Sequence, residues 1–224
     1  MDEWQDPIEM MEEYVSSVIA GEIVACKSII AACKRHRKDL ARQGDEDFPY
    51  YFDEEHARNV CNFYPTCIKH SIGKDVGKPF VLQPWQVFAV ASIFGWKSND
   101  NDCRRYRKAY ISVARKNGKS TLAAAMCLYC AGFDYNPVSG GFENVAQIIL
   151  AASKKEQADR VTMAECVRMR GQSEVLSEMS DYKNRQLTFK HNSGHIITVG
   201  SDKAFDGLNP HVCNIDEMHS FRSA

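Results

Sequence analysis

The segment Ala109-Tyr-Ile-Ser-Val-Ala-Arg-Lys-Asn-Gly-Lys-Ser-Thr121 constrains this chain more than any other. Tyr110 to Val113 is a short β-branched and aromatic run, the composition of a buried strand. A tight polar loop follows and ends in Gly118-Lys119-Ser120. Leu122 to Ala131 is then almost unbroken Ala, Leu, Met and Cys, which reads as a buried helix. Strand, loop and helix in that order make a phosphate cradle. Loop N–H groups and the positive helix N-terminus face an anion. Lys119 would reach the β- and γ-phosphates of a nucleotide, and the Ser120 hydroxyl would take Mg²⁺. The spacing departs from the glycine-rich form, because Val113 stands where its first glycine would be, and Arg115 and Lys116 lie inside the loop. The competing reading is an ordinary strand-to-helix turn with exposed basic residues.

Composition narrows the class. A chain of 224 residues with 44% hydrophobic and 25% charged residues holds one large domain, or one domain and a smaller one. The net charge of −1 excludes a bulk polycation, so nucleic-acid contacts would come from local patches. No apolar run reaches the roughly 18 residues of a membrane span, and the acidic N-terminus lacks a signal-peptide core. The nine scattered cysteines read as reduced thiols of a cytosol. Cys127 and Cys130 have metal-site spacing, but no second pair completes a tetrahedral site, and buried small hydrophobes is the better reading.

Upstream of the loop, residues 7–43 carry a helical 3–4 spacing through Val15, Val18, Ile19, Ile23, Ile29 and Ile30, with Gly21 as an interruption or bend. Lys34-Arg-His-Arg-Lys38 reads as a solvated basic helix end rather than a DNA contact. Asp53 to Lys69 is a further amphipathic helix, expected to break near Pro65. Pro84 opens an apolar helix through Val87 to Trp96, with Gln86 at its entry. Gln86 offers the donor and acceptor that read an adenine edge, or simply starts the helix. Arg104-Arg-Tyr-Arg-Lys108 is a basic cluster that suits phosphates or solvent equally well.

Downstream, Val145 to Ala152 is a second buried strand. Ser153 and Glu156 form a capping-box pattern for a helix to about Met169. Strand, helix, strand, helix is the order of a parallel α/β sheet. Gln186 to Lys190 and His195 to Val199 make a hairpin around His191-Asn-Ser-Gly194. Asp206 to Pro210 is a turn, and His211-Val-Cys-Asn-Ile-Asp-Glu217 is a strand ending in two carboxylates. Asp216 would hold the Mg²⁺ shell and Glu217 would polarise an attacking water.

With these motifs in order, the chain resembles the large terminase subunit of tailed bacteriophages. The resemblance rests on Leu82-Gln-Pro-Trp-Gln86, Ala114-Arg-Lys-Asn-Gly-Lys-Ser-Thr121, Ala151-Ala-Ser-Lys-Lys-Glu-Gln-Ala158, and Asp206-Gly-Leu-Asn-Pro with Ile215-Asp-Glu-Met-His219. The loop without its first glycine and with Arg115 is the form this family uses.

The resemblance implies a P-loop NTPase: a mostly parallel sheet flanked by helices (80–224), preceded by a helical N-terminal region (1–79). It implies an ATP-driven motor that moves double-stranded DNA into a procapsid. Partners would be the terminase small subunit, the portal protein and further copies in a ring, in the host cytoplasm and transiently at the portal vertex. Nucleotide would be held by Gln86, Arg115, Lys116, Asn117, Gly118, Lys119, Ser120 and Thr121. Arg115 would couple to the γ-phosphate, Ser120 and Asp216 would serve Mg²⁺, and Glu217 would be catalytic with Lys119 and Arg115. Gln157 inherits a weak role on the DNA side.

The chain ends seven residues after Glu217. The expectation is therefore an incomplete sheet, no nuclease, and at best weak nucleotide binding. Two other readings compete: a helicase-like DNA-dependent ATPase, and a nucleotide-binding remnant without turnover.

Overall fold

The computed structural model describes residues 4–200 and 208–218. They fall into two compact units that do not follow the chain in a single cut. One holds residues up to 66 together with 81–111, and the other holds 67–80 and the residues from 112 onward. The cut proposed from sequence at 79/80 runs along the chain, whereas this division runs through contacts.

The first unit is helical. Helix α1 (Pro7–Ala20) starts at Asp6, whose carboxylate accepts from the N–H groups of Ile8 and Glu9, with Pro7 in the first turn. It ends at Gly21, whose φ of 83° closes the helix in the left-handed region. So the 7–43 stretch is two helices, the second being α2 (Lys27–Leu40). Strand β1 (Tyr50–Phe52), helix α3 (Glu54–Cys67), helix α4 (Pro84–Gly95) and strand β2 (Trp96–Ser98) follow. Pro65 does not break α3 as the sequence suggests. It lies in the last turn, where it removes one helix bond but leaves almost no helix beyond it to kink, and it is buried along with Phe63 and Tyr64.

β1 and β2 pair antiparallel and bring Phe52 opposite Trp96. Trp96 is fully buried, and its indole N–H donates to His36 Nδ1 at 3.0 Å. His36 must then be an acceptor there, which requires the neutral imidazole. Burial supplies that state, pushing the His36 pKa down to about 4 against the opposing pull of Asp39. Arg105 stacks on the rings of Tyr50 and Trp96 and pairs with the buried Asp39 at 2.8 Å. One half of the 104–108 cluster is therefore structural, while Arg107 and Lys108 are exposed.

The second unit is α/β. It contains α5 (Lys119–Gly132), the short hairpin β3 (Tyr135–Asn136) and β4 (Gly141–Phe142), and β5 (Gln147–Ala152). Then come α6 (Lys155–Ala158), a π-helical stretch Asp159–Met163, α7 (Ala164–Gln172) and α8 (Glu174–Met179). The remaining strands are β6 (Ser180–Lys183), β7 (Gln186–Phe189), β8 (His195–Gly200) and β9 (Val212–Ile215). The sheet order is β6-β7-β8-β5-β9.

This sheet corrects the expectation of a mostly parallel one. β5 pairs parallel with β8 and β9, but β6, β7 and β8 are joined antiparallel. The reason is local: two successive hairpins in 180–200 can only add antiparallel strands. A second correction concerns Tyr110–Val113, which forms no strand. A strand exists through a neighbour's hydrogen bonds, and this segment pairs with none of the described strands. Tyr110 is 79% exposed.

β5 is buried on both faces from Ile148 to Ala152, as its unbroken apolar run requires. Ala124, Ala125 and Leu128 of α5 are fully buried. The turn between β7 and β8 comes so close to the end of α5 that a Cβ on Gly194 would lie 1.8 Å from the Ala131 carbonyl oxygen. Asn192 donates to that same carbonyl at 2.9 Å. Cys127 and Cys130 are buried in α5, and burial raises the Cys127 thiol well above its ordinary pKa, as suits core residues. His211, an awkward residue at the start of β9, pairs with the buried Asp134 at 2.7 Å.

Candidate functional site

Two parallel neighbours, β5 and β9, end side by side, with Ala151 opposite Ile215. The Asp216 N–H extends the ladder by donating to the Ala151 carbonyl at 3.0 Å. Ser153 and Gln157 therefore leave the sheet at the same carboxyl end as Asp216 and Glu217. Open α/β sheets place their ligand sites at that end.

α5 begins at this end as well. Gly118 has φ 73°, the left-handed turn that redirects the loop into the helix at no steric cost. Its carbonyl accepts the Leu122 N–H at 2.8 Å. Lys119 is the first residue of α5, and its ammonium reaches Asp216 Oδ1 at 2.9 Å. A lysine at a helix N-terminus is electrostatically misplaced, because cation and positive helix end repel. The carboxylate offsets that repulsion, and so would a bound anion. The Lys119 side chain remains 40% exposed while that of Asp216 is 15% exposed, so the pair opens to solvent from the lysine side.

Of the loop residues, Arg115, Lys116 and Asn117 are exposed, and Gly118 to Thr121 are half-buried. Lys116 has φ 68°, an uncommon backbone for a side-chain-bearing residue. The Asn117 amide donates to the Ala114 carbonyl at 3.1 Å, so the loop is tied to itself. Among the described residues Arg115 and Lys116 make no ion pair. Thr121 donates to Glu165 Oε1 at 3.4 Å.

Glu165 is a residue the sequence reading missed. It is 3% exposed and gathers Thr121, the Ser71 hydroxyl at 2.6 Å, and the Arg168 guanidinium at 2.6 Å. It thereby ties the first turn of α5 to α7. The Glu165–Arg168 spacing was the available signal, but such pairs on helices are common.

Asp216 and Glu217 end β9 as expected. Both contacts of the Asp216 carboxylate fall on Oδ1, one from Lys119 and one from the Glu217 N–H at 2.9 Å. Glu217 has φ 49°, and its Oε2 accepts from the Gln157 amide at 2.7 Å. Gln157 thus belongs to the carboxylate side of this site. Asp206, Gly207 and His219 fall outside the described residues.

Gln86 belongs to the first unit. It is 3% exposed there, and its Oε1 accepts from the Gln83 N–H at 2.8 Å in a reciprocal cap of α4.

The donor set fits Mg²⁺ with nucleotide. Ser120 offers a hydroxyl and Asp216 a carboxylate, both hard oxygen donors. Among the described residues no three His, Cys, Asp or Glu side chains gather as a metal cage. Mg²⁺ on a nucleotide needs no such cage, since one or two carboxylates plus phosphate oxygens suffice.

Comparison with known proteins gives a family and a fold. Residues 84–224 match the family model described as the terminase large subunit, ATPase domain. The crystal structure of the HK97 bacteriophage large terminase is similar in fold, with a TM-score of 0.56 at 22% identity. The match covers 74% of this chain and 32% of that one, so the chain spans about a third of that terminase. No curated protein matches. No described helix is long and apolar enough to cross a membrane.

Proposed function

Because the chain belongs to the terminase large subunit ATPase domain family, we propose that it hydrolyses ATP as the motor part of a phage large terminase. ATP turnover would drive double-stranded DNA into a procapsid. The observation that carries this reading is the 2.9 Å contact between Lys119 and Asp216. It joins the two motifs that a phosphate-handling site needs, from opposite ends of the second half of the chain.

In this proposal the loop N–H groups from Lys116 to Thr121 cradle the phosphates, and Lys119 exchanges Asp216 for a phosphate oxygen. The Asp216 carboxylate and the Ser120 hydroxyl would hold Mg²⁺, which when bound would neutralise phosphate charge. Arg115, exposed in the loop, swings to the γ-phosphate. Glu217 orients and deprotonates the attacking water. Gln86 reads the adenine edge, which requires it to exchange its bond to Gln83. Residues 80–224 form the ATPase core and 1–79 the helical region before it. The small subunit, the portal and further copies in a ring are the proposed partners, met in the host cytoplasm at the portal vertex.

The test is ATP turnover with and without double-stranded DNA, comparing the wild type with Glu217→Gln in a full-length protein. The expected outcome is DNA-stimulated turnover in the wild type, with Glu217→Gln binding Mg-ATP but losing turnover by roughly 100-fold or more. Normal single-turnover hydrolysis by Glu217→Gln refutes the division of roles. Turnover indifferent to DNA refutes the motor.

A further inference from the structure

The family resemblance implies a weak DNA-side role for Gln157, yet its amide is turned onto Glu217. The Gln157 Nε2–H donates to Glu217 Oε2 at 2.7 Å, across 60 positions of sequence. The Ser153 hydroxyl donates to Gln157 Oε1 at 3.2 Å. The three side chains form a directed relay at the shared carboxyl end of β5 and β9.

Chemistry fixes the direction of that relay. An ionised carboxylate only accepts, so the amide nitrogen must face Glu217, and the amide oxygen is then left for the hydroxyl. A flipped amide would set two acceptor oxygens against each other. The need for such a partner is visible in the backbone. Glu217 has φ 49°, and its own N–H is bound to Asp216 Oδ1. Its side chain therefore leaves a strained, tightly turned position, not a regular strand. A long carboxylate on such a base is placed by what holds its oxygens. The bond at Oε2 restrains where the carboxylate can lie.

We infer that Gln157 is a positioning residue for Glu217, with Ser153 as its orienting partner. The inference rests on the hydrolytic role proposed above for Glu217. It moves Gln157 from the DNA side of the motor to the chemistry. It also makes hydrolysis depend on the start of the helix that follows β5: a shift of that helix displaces the carboxylate, and misplacement by about 1 Å costs roughly 100-fold in rate.

The test combines Mg-ATP affinity, single-turnover hydrolysis and thermal melting of Gln157→Ala, Gln157→Glu and Ser153→Ala. Gln157→Ala should lose about 10-fold or more in single-turnover rate while Kd and melting temperature stay near wild type, the signature of an interaction used only in the chemical step. Gln157→Glu should lose more, because it replaces the donor by a like charge, and Ser153→Ala less, because the amide keeps its donor. Equal rates for wild type and Gln157→Ala overturn the inference. So does a loss of nucleotide affinity that accounts for the whole effect.

A second measurement needs no turnover and no nucleotide. The side-chain amide NMR signals of Gln157 should shift in Glu217→Ala, and signals that stay in place overturn the contact itself. A shift there, combined with absent ATP binding, would refute the hydrolytic reading and leave the contact standing. The two failures are therefore distinguishable.

Discussion

The two units use ion pairs and hydrogen-bonded side chains for opposite ends. In the first unit the pairs are closed in. The Lys97–Asp53 pair at 2.7 Å has the lysine only 7% exposed, Arg105 holds a buried Asp39, and Trp96 is bonded to a neutral His36. Each group is fixed by partners that it cannot exchange without opening a core. In the second unit the Lys119–Asp216 pair has a lysine 40% exposed, beside a loop of exposed cations. Its members can be handed to a ligand. The difference teaches that an ion pair is a structural device or a loaded site according to whether solvent, and hence a substrate, can reach one partner.

The largest effect that could break this comparison is deletion of residues 1–43. It removes α1 and α2, whose buried Ile8, Met11, Val15 and Val18 are each worth roughly 1.5–3 kcal/mol. Together they approach the whole stability of a domain, roughly 5–15 kcal/mol. The first unit should lose its cooperative melt, and an unchanged melting temperature would show these helices to be an appendage. Next is Trp96→Ala, which should cost about 3–5 kcal/mol in urea unfolding, from the cavity and from an orphaned His36. A loss under about 1 kcal/mol would mean that the aromatic cluster is loosely packed.

The pH dependence of that cluster has a defined sign. Burial holds the folded His36 pKa at about 4, below its unfolded value of roughly 6.5. The unfolded chain therefore takes up the proton first. Its contribution is fully present above about pH 6.5 and is lost as pH falls toward 4, on the order of 3 kcal/mol in total. Unfolding free energies measured from pH 7 to 4.5 should fall less steeply in His36→Gln than in wild type. Equal slopes would place the His36 proton elsewhere.

The smallest effect sharpens the contrast most. Breaking the Lys119–Asp216 pair by Lys119→Met should change stability by less than about 1 kcal/mol, because the pair is half open to water. A loss of about 3 kcal/mol would make it a structural pair like those of the first unit.

Much of this was legible in the sequence because the strongest signals are local. The α5 run, the buried β5, the β7–β8 hairpin and the Asp-Glu end of β9 all follow from periodicity, propensity and turn residues within a few positions. What was not legible depends on partners. Tyr110-Ile-Ser-Val113 has strand composition but pairs with none of the described strands. β6 escaped notice because its turn is Asn184-Arg185, both at positive φ, where Asn-Gly would have announced a hairpin. At the site, the sequence pointed to Lys119, Ser120, Asp216 and Glu217, and Lys119 does meet Asp216. It could not place Gln157 on Glu217 or Glu165 under Thr121, since both contacts are made across the fold between residues that carry no motif for each other.

The central claim is that Gly118 to Thr121 and Asp216 form one nucleotide site. It is tested most directly by titrating Mg-ATP into the purified chain and into Lys119→Ala by calorimetry. A charge-assisted phosphate contact is worth about 1.5–3 kcal/mol, so the account predicts measurable binding by the wild type and a Kd raised roughly 10- to 100-fold in the variant. The same Kd for both proteins, or no binding by either, would contradict it.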